Sequence, residues 1–255
     1  MKQYETGKVS AIILAAGKGT RMKSDLAKVL HSLCGKPMLT YSVNVARAVG
    51  AEKIAVVIGH QADAVREAFK DQELILIEQR EQLGTGHAVL QARDTFCNYQ
   101  GTIIVLCGDV PLLLPSKVKD LLEYHISENS DVTVLTTILD DPYGYGRVIK
   151  SSSQGEVLRI VEEKDALPDE KKINEINTGI YCVDSGFLFN AVKEIGDENV
   201  QKEYYLTDIV DIARKKGLKV RSFITANSIE VMGINTPEDI QRASEYLMIT
   251  LENYH

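Results

Sequence analysis

Short apolar runs alternate with segments of helical spacing along this chain, and that alternation constrains the fold more than any other feature. The first run, Val9 to Leu14, ends directly in a glycine-rich turn, as expected of a strand buried on both faces. Further strands are predicted at residues 53–58, 74–78, 102–107, 132–138 and 219–224. The pattern is typical of an α/β domain with a mostly parallel central sheet flanked by helices.

The segments between these runs predict the helices. They are expected at residues 38–49, 61–69, 84–92, 116–127, 186–192, 205–216 and 237–251. Pro37 stands where a first helical residue tolerates proline, and Ser116 is a predicted N-cap. Thr236 is the predicted N-cap of the closing helix, whose Glu238 and Asp239 favour its positive end.

The pattern changes between residues 145 and 162. Two short strand-like runs, 147–150 and 157–162, flank a turn-forming segment at 151–155. They predict a small β-hairpin laid onto the edge or mouth of the sheet. The chain has no internal repeat and no evident linker, so one domain is expected.

The charge balance narrows the class of partner. Acidic residues number 36 and basic residues 29, for a net charge of −7, and the hydrophobic fraction of 44% is ordinary for a globular protein. This balance disfavours a protein that works on nucleic acid or on an anionic membrane. A small anionic substrate is still compatible, because a few well-placed cations suffice to bind it.

Targeting and redox signals are also absent from the sequence. Its apolar runs are too short for a spanning helix, and the polar segment Met1 to Lys8 lacks the apolar core of a secretory signal. The four cysteines are far apart and form no CxxC pair, so neither a zinc site nor a disulfide framework is expected. We expect a cytoplasmic protein.

The segment Leu14 to Met22, which follows the first strand, carries the clearest chemical signal. Its small residues and two glycines let consecutive backbone N–H groups surround phosphate oxygens, and Arg21 and Lys28 supply positive charge. It is not a Walker A loop, and it lacks the third glycine of GxGxxG. Taken alone, it is equally consistent with a tight strand-to-helix turn.

Eight motifs, in order along the chain, together resemble the sugar-nucleotide pyrophosphorylases. They are LAAGKGTRM at 14–22, QREQLGTGHA at 79–88, GDVPL at 108–112, YGRV at 145–148, VEEKD at 161–165, EINTG at 175–179, EYYLTD at 203–208 and GIN at 233–235. Over residues 8–250 they look most like the uridylyltransferase domain of the bifunctional bacterial enzymes that make UDP-N-acetylglucosamine, a peptidoglycan precursor.

The resemblance implies a Rossmann-like nucleotidyltransferase fold with the hairpin over a sugar pocket. It divides the single domain, 1–255, into a nucleotide-binding half at 8–115, a sugar-phosphate-binding half at 116–235 and a C-terminal helix at 236–255. The bifunctional relatives continue into a β-helix of hexapeptide repeats that carries acetyltransferase activity. These 255 residues contain no such repeats, so acetyl-CoA chemistry is not expected here.

The resemblance also assigns the nucleotide site. Residues implied to bind the nucleotide are Leu14, Ala15, Ala16 and Gly17 on the uracil and ribose side, Gly19, Thr20, Arg21 and Lys28 at the triphosphate, Gln79, Gly84 and Thr85 at the uracil, and Gly108. An amide side chain and backbone groups can match the imide edge of uracil and leave the amine of cytosine unpaired. Gln82 and His87 are interpreted as structural, as a helix-entry residue and a packed histidine.

Asp109 is the strongest single candidate for metal binding. A carboxylate just past a strand's carboxyl end sits where open α/β sheets bind ligands, and Mg²⁺ commonly takes one or two protein oxygens. The resemblance implies that Asn235 supplies the second ligand. The alternative for Asp109 is a turn aspartate ahead of Pro111.

The implied sugar pocket comprises Gly146, Glu162, Asn177 and Thr178. Lys164 is predicted on the same strand face as Glu162, from where it could reach the sugar phosphate. Tyr204, Tyr205 and Thr207 either close that side of the pocket or begin a helix with Thr207 exposed.

Two positions depart from the family pattern. Cys107 stands where close relatives often carry tyrosine, and Ala27 replaces a proline before Lys28, which predicts a less rigid loop.

The implied reaction is an in-line attack by N-acetylglucosamine 1-phosphate on the α-phosphorus of UTP, assisted by Mg²⁺, which releases pyrophosphate. Arg21, Lys28 and Asp109 are the candidate catalytic groups.

One alternative is a pyrophosphorylase for another sugar 1-phosphate, such as glucose or a modified amino sugar. The other is a non-catalytic nucleotide-sugar-binding module, which we would expect to lack one of those three residues. A monomer or weak homo-oligomer is expected.

Overall fold

A computed structural model describes residues 8–151 and 156–252. Its strands are β1 Val9–Ala15, β2 Ser32–Leu33, β3 Lys36–Pro37, β4 Ile54–Ile58, β5 Ile75–Glu78, β6 Thr102–Cys107, β7 Val132–Ile138, β8 Arg147–Lys150, β9 Val157–Val161, β10 Glu175–Asp184 and β11 Val220–Thr225. Its helices are α1 Met38–Ala48, α2 Ala62–Ala68, α3 Thr85–Gln91, α4 Pro115–Ser127, α5 Ser185–Ala191, α6 Asp208–Lys215 and α7 Pro237–Glu252.

The central sheet has the strand order β11-β7-β10-β6-β1-β4-β5. Strands β6, β1, β4 and β5 pair in parallel, and so do β7 and β11. Strand β10 is antiparallel to both of its neighbours, β6 and β7. The predicted mostly parallel α/β architecture is therefore confirmed.

Successive residues of the central strands point to opposite faces, and each face carries an apolar layer. Ile12 packs in the layer that includes α3, α5 and α6, whereas Ile13 packs in the layer with α1, α2 and α4. Both side chains are completely buried. Because both faces are covered by helices, the strands read as continuous apolar runs rather than as alternating ones.

The strand order places a crevice at the carboxyl end of β1. The chain runs from β1 through β4 to β5 on one side and then returns to β6 on the other side of β1. Leu14 pairs with Cys107 at the end of this ladder, and the N–H of Gly108 donates to the carbonyl of Leu14 at 2.9 Å. Open α/β sheets bind ligands where the strand order reverses in this way.

The main element missed from the sequence is β10. Its polar residues Glu175, Asn177 and Thr178 hide the strand signal, and the ladder to β7 shifts register between Asn177 and Tyr181. Within that bulge Gly179 has a φ of +80°. The predicted hairpin is present as β8 and β9, but β8 pairs with β10, a central strand, rather than with the outer strand of the sheet. Residues 152–155 of its predicted turn lie outside the described residues.

The roles predicted for two residues at helix starts are wrong, although α1 begins at residue 38 as predicted. Helix α4 begins at Pro115 with Leu114 as N-cap, so Ser116 does not cap it, and Pro37 is the N-cap of α1 rather than its first helical residue. The predicted cap of the last helix is confirmed, because the N–H of Asp239 donates to Thr236 Oγ1 at 3.2 Å. No helix within the described residues is long and apolar enough to cross a membrane.

Candidate active site

A cavity of about 370 Å³ occupies the crevice at the carboxyl ends of β1 and β6. Its lining residues are Leu14, Ala15, Ala16, Gly17, Gly19, Thr20, Arg21, Lys28, Val29, Thr85, Cys107, Asp109 and Asn235. Residues from five separate sequence segments thus converge on one cavity, and most of them were predicted as nucleotide or metal ligands.

The two glycines of the loop after β1 have different reasons to be glycine. Gly19 has a φ of +59°, and a Cβ placed there would lie 2.6 Å from the Cβ of Lys28. A Cβ placed at Gly17 would meet no atom within 4 Å. Gly19 is therefore needed so that the Lys28 side chain can pass beneath the loop, whereas Gly17 borders open space in the cavity.

Four polar side chains form a cluster at the end of this cavity. Lys28 Nζ donates to Asp109 Oδ2 and, at 2.7 Å, to Asn235 Oδ1. Arg21 Nη2 also donates to Asn235 Oδ1, at 2.9 Å. Asn235 lies 207 positions after Lys28, so the fold brings together residues that the sequence could connect only through the family resemblance.

The donor set of this cluster fits a hard divalent cation. Asp109 Oδ2 and Asn235 Oδ1 both lie within hydrogen-bond distance of one positively charged nitrogen, Lys28 Nζ, so the two oxygens already converge on a cation. Mg²⁺ uses such oxygen ligands and completes its coordination with phosphates and water. No group of three or more His, Cys, Asp or Glu residues suited to a metal occurs in the part of the chain that the structure describes.

Asp239, which the sequence predicts only as a favourable charge at the start of a helix, positions Asn235. Its Oδ2 accepts hydrogen bonds from the backbone N–H groups of Asn235 and Thr236, both at 2.9 Å. Burial tends to raise the pKa of the Asp239 carboxyl, but these hydrogen bonds outweigh it, so that pKa lies below its ordinary value. The closing helix therefore anchors the candidate metal ligand.

Gln61 clamps the loop before Lys28, a role with no signal in the sequence. Its Oε1 accepts from the N–H of Ala27 at 2.8 Å, and its Nε2 donates to the carbonyl of Asp25. Proline has no N–H and could not form the first of these bonds. The hydrogen bond from Ala27 to Gln61 therefore holds the loop at the position where family members have a proline. The prediction of a less rigid loop did not include this hydrogen bond.

Cys107 packs at the base of the cavity and acts as a small apolar side chain. Burial, followed by the nearby charge of Asp109, raises the pKa of its thiol to about 12, with Lys28 opposing that rise. A Cβ at Gly179 would lie 2.9 Å from Cys107 Sγ. The bulge in β10 thus fits closely against this position, and the hydroxyl of Ser42 holds the carbonyl of Cys107 at 2.8 Å.

Thr85, which lines the cavity, belongs to a tight cluster that Gln79 forms with the start of α3. Gln79 is only 3% exposed, and its Nε2 lies 3.0 Å from the carbonyl oxygen of Gly84 and 3.0 Å from His87 Nδ1. A Cβ at Gly84 would lie 2.6 Å from the carbonyl oxygen of Tyr204. Thr85 Oγ1 accepts from the N–H of Leu206 at 2.9 Å, so contacts with both Tyr204 and Leu206 hold this cluster.

Glu162 lies on the side predicted to bind the sugar. A Cβ at Gly146 would lie 3.4 Å from both of its carboxylate oxygens, and the Thr207 hydroxyl donates to Oε1 at 3.2 Å. Thr207 is 4% exposed, so the alternative with an exposed Thr207 is wrong. Glu162 and Thr207 also line a second cavity, of about 420 Å³, against α6.

Two further predictions on this side need revision. Strand β9 ends at Val161, and Glu162 to Asp165 form a turn, so Lys164 is not on a strand face with Glu162; it is exposed on that turn. Thr178 is buried and donates to the carbonyl of Leu135 at 2.7 Å, so its hydroxyl stabilises the sheet. The N–H of Asn177 donates to the carbonyl of Gly146 at 2.9 Å, which joins β10 to the hairpin.

The second cavity is acidic. Burial raises the pKa of the Glu162 carboxyl; the hydrogen bond from Thr207 opposes this, and the charges of Asp208 and Asp165 add to it. Burial, with the charges of Asp211 and Asp165, raises the pKa of Asp208 to about 6. Asp211 pairs with Lys215 at 2.6 Å, but the acidic neighbours of Glu162 and Asp208 still disfavour the charged forms of these two carboxyls, in contrast to the paired charges around Lys28.

Comparison with known proteins identifies the family. The chain is 51% identical over 245 residues to the bifunctional protein GlmU of Geotalea daltonii and 46% identical to that of Clostridioides difficile; each alignment covers 96% of this chain and 53% of the relative. The chain thus spans about half the length of these curated relatives. A crystal structure of UDP-glucose pyrophosphorylase complexed with UDP-glucose shares the fold, with a TM-score of 0.73 at 19% identity over 95% of this chain and 99% of that one. The nucleotidyl transferase family matches residues 10–233, and the chain belongs to that family.

Proposed function

We propose that the chain transfers a uridylyl group from UTP to N-acetylglucosamine 1-phosphate and releases pyrophosphate. The observation that carries this proposal is the convergence of Arg21, Lys28, Asp109 and Asn235 on one cavity at the carboxyl ends of β1 and β6. The eight motifs, and about 50% identity to the bifunctional GlmU proteins, favour this substrate pair over others.

The nucleotide would lie along the first cavity. Its base would contact Gln79 and the Gly84–Thr85 pair, and its phosphates would contact the segment from Gly17 to Arg21 and Lys28. Residues 8–115 would then form the nucleotide half and residues 116–235 the sugar-phosphate half, with 236–255 as the closing helix.

Mg²⁺ would be held by Asp109 and Asn235, whose oxygens fit a hard cation. When bound, it would neutralise phosphate charge and orient the leaving pyrophosphate. Lys28 would then serve the phosphates rather than Asp109. Arg21, which is exposed at the mouth of the cavity, would do the same from the other side.

The nucleophile is a phosphate oxygen that is already anionic, so the reaction needs no general base. The residues would contribute by positioning the reactants and by compensating charge: Arg21 and Lys28 would offset the negative charge, and backbone N–H groups around Gly19 would donate to phosphate oxygens. Gly146 and Glu162 lie side by side, so a sugar bound there would be near the backbone of Gly146, and Glu162 would accept from a sugar hydroxyl.

A substrate panel tests this proposal. The chain would be assayed for pyrophosphate release with UTP, CTP and dTTP, each paired with N-acetylglucosamine, glucosamine and glucose 1-phosphates in the presence of Mg²⁺. We expect the highest kcat/KM for UTP with N-acetylglucosamine 1-phosphate. A preference for glucose 1-phosphate would replace the substrate assignment, and nucleotide binding without pyrophosphate release would favour a non-catalytic binding module.

A further inference from the structure

His87 lies between two side-chain amides, and only one of its proton arrangements satisfies both. Its Nδ1 is 3.0 Å from Gln79 Nε2, and its Nε2 is 3.0 Å from the side-chain amide of Gln91. A neutral imidazole carries one N–H and one lone pair, so its two nitrogens cannot play the same role. One amide must therefore present a donor to the ring and the other an acceptor.

The carbonyl group of Gly84 determines which of the two amides donates to the imidazole and which accepts from it. The carbonyl oxygen of Gly84 is 3.0 Å from the Gln79 amide and accepts a hydrogen bond from its Nε2. Turning this amide over would set two oxygens against each other, so the –NH₂ group of Gln79 must face both Gly84 and His87. His87 Nδ1 is then the acceptor, and the ring proton is on Nε2.

The contact with Gln91 follows from this assignment. The N–H at His87 Nε2 requires an acceptor, which is the Gln91 amide oxygen once that side-chain amide is turned over. This orientation gives up only the 3.3 Å contact between Gln91 Nε2 and the carbonyl of His87. The two ends of an amide have nearly the same shape, so the space allows either orientation.

We propose that His87 is a positioning residue for uridine selectivity, because together with the Gly84 carbonyl it holds the Gln79 amide with both N–H bonds occupied and the carbonyl oxygen Oε1 left for the ligand. This inference rests on the proposed placement of the base at Gln79. An oxygen at this position accepts from the N3–H of uracil. Cytosine presents an unprotonated N3 there, so acceptor would meet acceptor and the complex would lose a hydrogen bond.

Three variants separate positioning from packing. In His87→Asn, Oδ1 can take the place of Nδ1 and accept from Gln79. In His87→Gln, the amide reaches towards the Nε2 position and cannot serve Gln79 in the same way. His87→Ala removes both contacts.

Binding of UTP and CTP in the presence of Mg²⁺ would be measured by calorimetry for the wild type and the three variants. We expect His87→Ala and His87→Gln to lower the preference for UTP over CTP by about tenfold, the effect of one well-formed hydrogen bond, and His87→Asn to restore most of it. A purely structural role would weaken both nucleotides equally in all three variants and would overturn the proposal.

Imidazole nitrogen NMR tests the same inference without any ligand. Correlation of ring protons with ring nitrogens at pH 8 distinguishes the two neutral tautomers, and the His87 signals are identified by their loss in His87→Asn. We expect the Nε2–H form; an Nδ1–H form would refute the proposal. If the tautomer and the UTP preference are as expected but no pyrophosphate is released with any sugar phosphate, the proposed function fails and the inference about His87 stands.

Discussion

Two regions of the molecule, the proposed phosphate end and the proposed sugar end, handle charge in opposite ways. At the phosphate end, which comprises residues 17–21 with Lys28, Asp109 and Asn235, each charged group that lies inward has a partner. At the sugar end, which comprises Gly146, Glu162, Asn177, Thr207 and Asp208, carboxylates face one another, and burial raises the pKa of two of them. The first arrangement suits a ligand that brings several negative charges, and the second suits a ligand with neutral hydroxyl donors.

The largest expected effect is at the phosphate end. Asp109→Ala should lower kcat by about 10²- to 10³-fold, because it removes a candidate metal ligand and leaves Lys28 without its carboxylate partner. Pyrophosphate release measured over a range of Mg²⁺ concentrations would detect the loss, and a thermal melt would check that the variant is folded.

Asp63→Ala is the matched control. Asp63 is almost fully exposed and pairs with Arg66 on the surface of α2, so its removal should leave kcat unchanged. A folded Asp109→Ala protein with nearly wild-type turnover would contradict the assignment of Asp109 to the metal.

The two loop glycines offer a second comparison within the phosphate end. Gly19→Ala should lower stability by about 1–2 kcal/mol, because alanine is strained at a φ of +59°, and it should lower kcat by displacing Lys28. Gly17→Ala meets no protein atom, so it should keep wild-type stability and instead raise KM for UTP. Denaturant unfolding combined with steady-state kinetics separates the two outcomes. Equal losses of stability in both variants would show that the loop is not built around Lys28.

A smaller effect is expected at the clamp before Lys28. Gln61→Asn shortens the side chain that holds Ala27 and Asp25 but tolerates the left-handed backbone of Gln61, whose φ is +54°. We expect a loss of about 1 kcal/mol and a several-fold decrease in kcat.

Ala27→Pro provides the double-mutant test of that clamp. The φ of Ala27 is −52°, which proline can adopt, but proline lacks the N–H that donates to Gln61. The substitution should destabilise the wild type more than it destabilises Gln61→Asn, with a coupling of about 1 kcal/mol. Additive effects would mean that the hydrogen bond does not rigidify the loop.

The two ends also differ in how much the sequence could predict. The phosphate end follows a buried strand and a compact glycine-rich motif, so its loop, Lys28 and Asp109 were found from local signals. The role of Asp239 at the helix start has a partial signal in the sequence. Thr236 is followed three residues later by this acidic residue, which is the pattern of a capping box. Gln61 gave no signal, since its partners are the backbone groups of a loop 34 or more positions away.

The sugar end was predicted less well because part of it lies on a strand whose sequence pattern is hard to recognise. Strand β10 is interrupted by a bulge and by polar residues, so its pattern resembles a loop. Because β9 ends at Val161, Lys164 is not on the strand face where it was predicted. The burial of Thr207 depends on contact with Glu162, which is 45 positions away. Such contacts depend on tertiary packing, which local periodicity does not encode.

The smallest predicted effect concerns Asp208 and tests whether charges at the sugar end are less well paired than those at the phosphate end. The folded-state pKa of Asp208 is about 6 against an ordinary value of 3.8, so the folded protein binds this proton more tightly than the unfolded chain does. Stability from this group is therefore present below pH 4 and is lost as the pH rises through 6. Asp208→Asn removes the charge and should stabilise the protein at pH 7.5 by about 1 kcal/mol, after allowing for solvent screening and for the loss of a favourable charge at the start of α6.

Unfolding in urea at pH 3.5, 5 and 7.5 would measure this difference, which should shrink towards zero at the lowest pH. Asp169→Asn is the control, because Asp169 is 92% exposed and pairs with Lys172 on the surface, so its removal should change stability by less than about 0.5 kcal/mol at every pH. If Asp208→Asn instead destabilised the protein at pH 7.5, Asp208 would have a favourable partner at the sugar end. The two regions would then compensate charge in the same way, and the contrast between them would be lost.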